Sequence, residues 1–186
     1  MTTYNAPRRL LFLIAETGDG HRSAANALVR ALRLVGESAH VECRVVDAFA
    51  ACGRFPLREA VARYGPMTRY CPGLYGQLFS LTNSVDRFRR VSACYQPFLR
   101  RGLRDLIQQT LPDVIVSVHP LLNAITLRAL DDLGLEIPVV TVVTDLVTAH
   151  VSWFARGVAA CVVPTEATRA LALGHGLPAN RVHLLG

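Results

Sequence analysis

The stretch that decides the fold is Leu10-Leu-Phe-Leu-Ile-Ala-Glu-Thr-Gly-Asp-Gly-His-Arg-Ser23, an apolar run that leads into a Gly-x-Gly turn. An uninterrupted apolar run is typical of a strand buried on both faces of a parallel sheet. Gly18 and Gly20 let backbone N–H groups approach an anion closely, and the helix that follows adds its positive end. His21 can exchange a proton near neutral pH. The turn therefore favours anion binding, and a tight turn made only for packing is the alternative.

Strand and helix patterns alternate along most of the chain. Apolar runs predict strands at 9–15, 41–46, 112–118, 138–143, 158–163 and 181–185, and helical periodicity predicts helices at 23–35, 91–110, 121–133 and 165–174. Gly36 and Gly134 are expected to end helices, Thr165 to cap one, and Pro97 to mark a kink or boundary. This alternation predicts an α/β fold with a doubly wound, mostly parallel, Rossmann-like sheet of about six strands.

Length and composition indicate one globular domain. The chain has 186 residues, half of them hydrophobic, and no apolar run reaches the roughly 18 residues needed to span a bilayer. The N-terminus lacks a signal-peptide pattern, which predicts a cytoplasmic location. Five cysteines without a Cys-x-x-Cys pair argue against a disulfide framework or a zinc site and predict reduced, mostly buried thiols.

One segment holds the positive charge. All 20 basic residues are arginine, and ten lie between Arg54 and Arg104, against only Glu59 and Asp86. The segment is thus +8, whereas the whole chain is +6. Three interpretations stand: a solvated basic face, a nucleic-acid surface without any recognised motif, or an anionic membrane surface. If the segment binds a membrane, apolar side chains between the arginines would insert into it, namely Tyr64, Met67, Tyr70, Leu74, Tyr75, Leu78 and Phe79.

Polar side chains also follow two later strands. His119 follows the strand at 112–118, and the loop at 144–154 carries Asp145, His150 and the single tryptophan, Trp153. Because carboxyl ends of parallel strands share one edge, we expect these groups to converge with the Gly18–Gly20 turn. The alternatives are a buried, satisfied His119 and a Trp153 that packs the loop onto the core. Asp47, at the end of the second strand, contacts a ribose or caps a helix.

Five motifs in this order resemble those of monogalactosyldiacylglycerol synthases and bacterial processive diacylglycerol glucosyltransferases. They are Glu16-Thr-Gly-Asp-Gly-His-Arg-Ser-Ala-Ala, Ser117-Val-His-Pro-Leu, Val142-Val-Thr-Asp-Leu-Val-Thr-Ala-His, Ser152-Trp-Phe and Val162-Val-Pro-Thr-Glu. The resemblance implies the N-terminal, acceptor-binding half of a GT-B glycosyltransferase over residues 1–186. Residues 48–110 would form a helical and looped, membrane-facing insertion within it. A C-terminal, donor-binding domain, absent here, would be expected beyond Gly186.

The resemblance also implies a reaction, the transfer of a hexose from a UDP-sugar to a diacylglycerol-type membrane lipid with inversion. His21 would be the general base, and Asp145 a second candidate or an orienting group. Gly18, Gly20 and Arg22 would face the donor diphosphate, and His119, His150 and Trp153 would line the acceptor pocket. Neither a metal nor a cofactor is implied, and no nucleic-acid partner. The protein would bind the inner face of a membrane peripherally, through residues 54–104.

Two positions depart from the family pattern, since Asp19 replaces a glycine in the turn and Val151 stands where proline is common. A carboxylate at Asp19 would repel a diphosphate unless it pointed away or paired with Arg22. The alternatives in function are a non-catalytic half-domain that binds a lipid or a partner, and a sugar-nucleotide epimerase.

Overall fold

A computed structural model describes residues 6–17, 19–35, 41–63, 70 and 72–185. Its centre is a six-stranded sheet in which every pair of neighbouring strands is parallel. The strands are β1 (Arg8–Ile14), β2 (Val41–Asp47), β3 (Val114–Ser117), β4 (Val139–Val142), β5 (Ala160–Val163) and β6 (Val182–Leu184). Their spatial order is β2-β1-β3-β4-β5-β6. The chain therefore reverses its direction of winding between β1 and β3, which makes that boundary the topological switch point.

The apolar run of β1 is buried on both faces, as its sequence predicts. Leu11 and Leu13 point into the larger core, and Phe12 and Ile14 into the smaller core on the opposite face of the sheet. All four side chains are almost fully buried. Burial of such a side chain contributes about 1.5–3 kcal/mol, so β1 anchors the sheet from which the predicted turn emerges.

Eight α-helices are described. They are α1 (Asp19–Leu34), α2 (Ala48–Cys52), α3 (Leu57–Ala62), α4 (Pro72–Thr82), α5 (Val85–Tyr95), α6 (Pro97–Thr110), α7 (Asn123–Leu133) and α8 (Glu166–Gly174). Short 3₁₀ turns occupy Pro120–Leu122, Val151–Trp153 and Ala179–Arg181. Helix α1 packs on the smaller core, whereas α2, α6, α7 and α8 contribute to the larger one. The doubly wound α/β architecture with about six strands is therefore confirmed.

Several helix boundaries fall where the sequence places them. Gly134 ends α7 in the left-handed conformation, at φ 62°, and Thr165 caps α8 through the backbone N–H of Thr168. Pro97 begins α6, so the single helix expected over 91–110 is two helices that meet at Gln96. Helix α1 begins four residues before the predicted Ser23, which places His21 in its first turn. The predicted stop at Gly36 lies outside the described residues.

Both ends of the segment 48–110 contribute to the helical layer that packs on the sheet, and its extent as an insertion stays a prediction. Phe49 of α2 and Leu103 of α6 are buried in the larger core. The two helices approach so closely that a Cβ on Gly102 would lie 2.4 Å from the carbonyl oxygen of Cys52. Helix α4, by contrast, lies at the surface, where Leu78 is 41% and Leu81 58% exposed.

The described cysteines carry free thiols. Cys52 and Cys161 are buried, whereas Cys43 is half-buried and Cys94 is exposed; Cys71 lies outside the described residues. Burial raises the pKa of Cys52 to about 11 and that of Cys161 to about 12. These two thiols are therefore protonated at neutral pH and pack as small apolar groups.

None of the helices in the described ranges has the length and apolarity required to cross a bilayer.

Candidate functional site

A cavity of about 720 Å³ opens at the carboxyl edge of the sheet, beside the switch point. Its polar part comes from the segments after β1, β3 and β4, and its apolar part from α2, α3 and α4. The lining residues are Thr17, Gly20, His21, Phe49, Ala60, Val61, Leu78, Phe79, Thr82, His119, Pro120, Leu121, Thr144, Asp145, His150 and Ser152. A mostly apolar cavity with a few convergent polar groups is the usual form of a small-molecule site.

His21 stands at the polar end of this cavity. Its ring contacts His119 edge to face, with ring centroids 4.7 Å apart, and its Nδ1 lies 3.4 Å from the hydroxyl of Thr144. Burial lowers the pKa of His21 below 6.5, while the charge of Asp145 and a hydrogen bond to the backbone of Val118 oppose that shift. The imidazole is therefore neutral at pH 7 and free to accept a proton from a bound hydroxyl.

His119 forms the buried side of the same site. It is 4% exposed, its Nε2 lies 3.5 Å from the hydroxyl of Thr17, and its ring meets the edge of Phe49 at 5.7 Å. Burial, together with any charge on His21, lowers the pKa of His119 well below 6.5. Its Nδ1 has no hydrogen-bond partner among the described residues. His119 is thus a neutral, buried ring that also reaches the cavity wall.

Trp153 supports the site from beneath. Its side chain is fully buried and lies behind the cavity surface, and its indole N–H donates to Oδ2 of Asp145 at 2.7 Å. The centroid of its ring is 6.2 Å from that of His21. Trp153 therefore packs its loop onto the core, which was one of the two interpretations of this residue. It also holds the carboxylate of Asp145, which faces the cavity.

A buried asparagine holds the loop that carries these groups. The amide of Asn123 donates to the carbonyls of Ser152 and Trp153 at 3.3 and 3.1 Å, and its oxygen accepts from the hydroxyl of Thr141 at 3.0 Å. Since Asn123 is fully buried, each of these bonds replaces one that water would make. Asn123 has no local signal in the sequence, because its partners lie 18 to 30 positions further along the chain.

The predicted turn is only partly described. Gly20 lines the cavity, with open space where a Cβ would stand, whereas Gly18 and the side chain of Asp19 lie outside the described part. The guanidinium of Arg22 forms an ion pair with Glu16 and does not reach the cavity wall. Asp47 accepts from the backbone N–H groups of Phe49 and Ala50 at 2.9 Å. It therefore caps α2, which was the alternative to a ribose contact.

Both nitrogens of His150 are already hydrogen-bonded inside the protein. Nδ1 accepts from the backbone N–H of Ser152 at 3.2 Å and lies 2.7 Å from the hydroxyl of that residue. Nε2 lies 3.1 Å from the hydroxyl of Thr82. His150 therefore lines the cavity with the remainder of its ring.

A metal centre is not formed by the residues that the structure describes, since no three of their His, Cys, Asp or Glu side chains converge closely enough to hold an ion.

The three site histidines predict acid-sensitive folding. Burial lowers the pKa of His21, His119 and His150, so below pH 6.5 the unfolded chain binds protons that the folded protein excludes. The free energy of unfolding is then expected to be level above about pH 7 and to fall below about pH 6.5, by up to about 1.4 kcal/mol per pH unit and histidine. Urea unfolding between pH 8 and pH 5 measures this.

The matched control is the exposed His183. His119→Gln should reduce the pH slope of the free energy of unfolding, and His183→Gln should leave it unchanged. An equal slope in the wild type and in His119→Gln would contradict the argument.

The sheet order and the cavity define a Rossmann-like α/β domain whose ligand site lies at the topological switch point. The family model described as monogalactosyldiacylglycerol (MGDG) synthase matches residues 21–186. The chain belongs to this family.

Individual relatives agree with the family match. The chain is 34% identical to the probable monogalactosyldiacylglycerol synthase 2, chloroplastic, of Oryza sativa subsp. indica, over 97% of this chain and 39% of that protein. It is 30% identical to the monogalactosyldiacylglycerol synthase, chloroplastic, of Spinacia oleracea, over 97% of this chain and 35% of that protein. The chain therefore spans less than half of the length of these relatives.

The crystal structure of MurG from Acinetobacter baumannii has a similar fold. The TM-score is 0.51 at 15% sequence identity, over 96% of this chain and 44% of that one. This similarity agrees with the predicted fold class, a doubly wound, Rossmann-like α/β domain.

Proposed function

We propose that this chain is the acceptor-binding half of a glycosyltransferase that moves a hexose from a UDP-sugar to the hydroxyl of a diacylglycerol-type lipid, with inversion. The observation that carries the proposal is the cavity itself, which is apolar along α2, α3 and α4 and ends at His21 and Asp145. A lipid with long apolar chains and one reactive hydroxyl matches this cavity, because its chains suit the apolar wall and its hydroxyl suits the polar end. The relatives, which are named as monogalactosyldiacylglycerol synthases, agree with such a substrate.

In the proposed reaction, the acceptor oxygen attacks the anomeric carbon as the bond between that carbon and the UDP oxygen breaks. The proton of the hydroxyl passes to His21, which is neutral because of its burial. Such proton transfer contributes about 10²–10⁴-fold to a rate. Asp145, whose charge favours the protonated ring, would stabilise the imidazolium that forms, and Trp153 holds Asp145 in place.

The leaving diphosphate would lie at the start of α1. Gly20 is in the first turn of that helix and on the cavity wall, where backbone N–H groups and the helix dipole favour negative charge. Gly18 would add a further N–H. Arg22 would reach the diphosphate by leaving Glu16, which costs little because that ion pair is exposed. No metal or other cofactor is part of the proposal.

The acceptor would lie along the remaining wall of the cavity. His119 would contact it from the buried side, while His150 would contribute only ring carbon atoms, because both of its nitrogens are bonded. Trp153 would act from beneath, through Asp145. Membership of the MGDG synthase family does not favour the alternatives of a non-catalytic half-domain or an epimerase.

The test is hexose transfer by the intact protein. Radiolabelled UDP-galactose and UDP-glucose are incubated with vesicles that contain diacylglycerol, and the lipid phase is extracted. We expect labelled glycolipid from at least one donor, with a β-linked hexose because the donor linkage is α. Absence of labelled lipid with both donors, or an α-linked product, would contradict the proposal.

We further propose that the protein binds an anionic membrane peripherally, through the exposed face of α4 and α5. Leu78, Leu81 and Val85 are exposed there, and α4 is an uncharged helix. The exposed arginines of α5, including Arg89 and Arg90, follow Val85 in the same helix and would supply the attraction to anionic lipid. Tyr70 is also exposed. Tyr64 and Met67 lie outside the described residues, as do the side chains of Leu74 and Tyr75.

Charge removal on α5 should weaken vesicle binding. Each arginine near an anionic surface contributes about fivefold to binding, so Arg89→Gln with Arg90→Gln should lower partitioning to vesicles rich in anionic lipid about 25-fold. Flotation of the chain with anionic and neutral vesicles measures this.

The matched control removes the same charge from α1, on the opposite face of the sheet. Arg30→Gln with Arg33→Gln should bind anionic vesicles nearly as well as the wild type does. Equal losses in the two double variants would show that net charge alone, and not this surface, governs binding.

A further inference from the structure

Two hydrogen bonds join the corner between α4 and α5 to the loop that carries Asp145. In this corner, residues 82–84, Thr82 lies 3.1 Å from Nε2 of His150, and Oδ1 of Asn83 accepts from the backbone N–H of Val151 at 2.9 Å. The bonded residues are 68 positions apart in the sequence. These two tertiary hydrogen bonds therefore hold the corner against the loop.

The hydrogen-bond pattern identifies the tautomer of His150. Nδ1 accepts from the backbone N–H of Ser152, so it carries no proton. The hydroxyl of Thr82 donates to the carbonyl of Leu78 at 2.7 Å, which leaves its oxygen as an acceptor for His150. Nε2 thus carries the proton and donates it to Thr82. The ring is neutral, because burial lowers the pKa of His150.

The ring of His150 also packs between the two helices. Phe79 of α4 and Phe88 of α5 each meet it edge to face, at 5.1 and 5.5 Å. Phe79 and Thr82 themselves line the cavity. The last turn of α4 is therefore a cavity wall whose position depends on His150.

We propose that His150 is a positioning residue: it fixes the last turn of α4 against the loop of Asp145, and so sets the distance between the apolar wall and His21. This inference rests on the proposed function, because the group to be positioned is the lipid acceptor. It differs from a direct acceptor contact, since the nitrogens of His150 are occupied. Loss of the link should weaken acceptor binding and leave the binding of the UDP-sugar unchanged.

The first test removes the link from the helix side. Thr82→Val keeps the volume of the side chain and removes the hydroxyl that accepts from His150, while the backbone of Thr82 beside the ring is unchanged. A net hydrogen bond is worth about fivefold in an equilibrium, so KM for the lipid acceptor should rise about fivefold, whereas KM for the UDP-sugar stays within twofold. Initial rates of the intact protein, with each substrate varied in turn, measure both constants.

Thr110→Val is the matched control. Thr110 stands at the end of α6 and donates to the carbonyl of Leu106 at 2.8 Å, as Thr82 does to that of Leu78, but it is not part of the cavity. This variant loses the equivalent hydrogen bond within its helix, but it does not lose any contact with a histidine. Equal effects of the two substitutions on KM for the acceptor would overturn the proposal.

Two substitutions of His150 separate its two nitrogens. His150→Gln supplies an amide N–H near the position of Nε2 and can still donate to Thr82, whereas His150→Asn supplies an acceptor near Nδ1 and cannot reach Thr82. Both variants lose the ring contacts with Phe79 and Phe88, so we expect KM for the acceptor to rise less in the glutamine variant, which keeps the link to Thr82, than in the asparagine variant. The reverse order would overturn the proposal.

Hydrogen–deuterium exchange tests the link independently of activity. Thr82→Val should speed amide exchange in residues 78–83 and at Val151, and Thr110→Val should not. If the wild type transfers no hexose while exchange responds as expected, the proposed function fails but the link stands. If exchange does not respond, or responds while KM for the acceptor stays unchanged, the positioning role of His150 is overturned.

Discussion

Replacing His21 with alanine is expected to lower the turnover number of hexose transfer by about 10²–10⁴-fold, the range that general-base catalysis supplies. The reason is that His21 is the neutral base at the polar end of the cavity, near the charge of Asp145. The KM for the UDP-sugar should change little, because the alanine variant keeps the backbone of the turn. Steady-state rates of the intact protein with diacylglycerol vesicles measure both quantities.

Two further variants serve as a comparison and a control for His21→Ala. Asp145→Asn should lower turnover less than His21→Ala, because the base remains and only the charge that stabilises its protonated form is lost. His183→Ala removes an exposed histidine from β6 and should leave turnover unchanged. Near-normal turnover of His21→Ala would exclude His21 as the base.

Replacing Trp153 with alanine is expected to lower the free energy of unfolding by about 3–5 kcal/mol, as for other large aromatic side chains in a core. Trp153 is fully buried in the larger core, and the substitution also removes the N–H that binds Asp145. Because Trp153 is the single tryptophan, urea unfolding should be followed by circular dichroism.

Trp153→Phe separates packing from hydrogen bonding. It keeps most of the ring volume and loses the N–H, so it should cost less stability than alanine does while still releasing Asp145. Phe98→Ala is the control for an aromatic side chain that is 36% exposed and should cost much less. A loss below about 1 kcal/mol for Trp153→Ala would contradict its role as a core residue.

The fold was predictable because its signals are local. The apolar run of β1, the left-handed Gly134 and the cap at Thr165 each depend on residues within a few positions. The parallel sheet then follows from the alternation of strands and helices, and it brings His21, His119 and Asp145 to one edge. This convergence was expected from the strand ends alone.

The parts that the sequence did not reveal depend on distant partners. Asn123 and Thr82 look like ordinary polar residues in helices, and only the folded chain brings them to Ser152 and His150. In the same way, the periodicity of α6 predicts a buried face but does not identify α2 as the helix that packs against it. Trp153 was expected on the cavity wall, but its large ring fills the core behind Asp145.

The central claim is that the cavity between the ends of β1, β3 and β4 takes the lipid acceptor. Photolabelling tests it most directly, with a diacylglycerol that carries a diazirine in one acyl chain and with the labelled peptides mapped by mass spectrometry. We expect saturable labelling of Leu78, Phe79, Thr82 and residues 119–121, which line the cavity, and competition by unlabelled diacylglycerol. Labelling that diacylglycerol does not displace, or that falls on α1 and β2 instead, would contradict it.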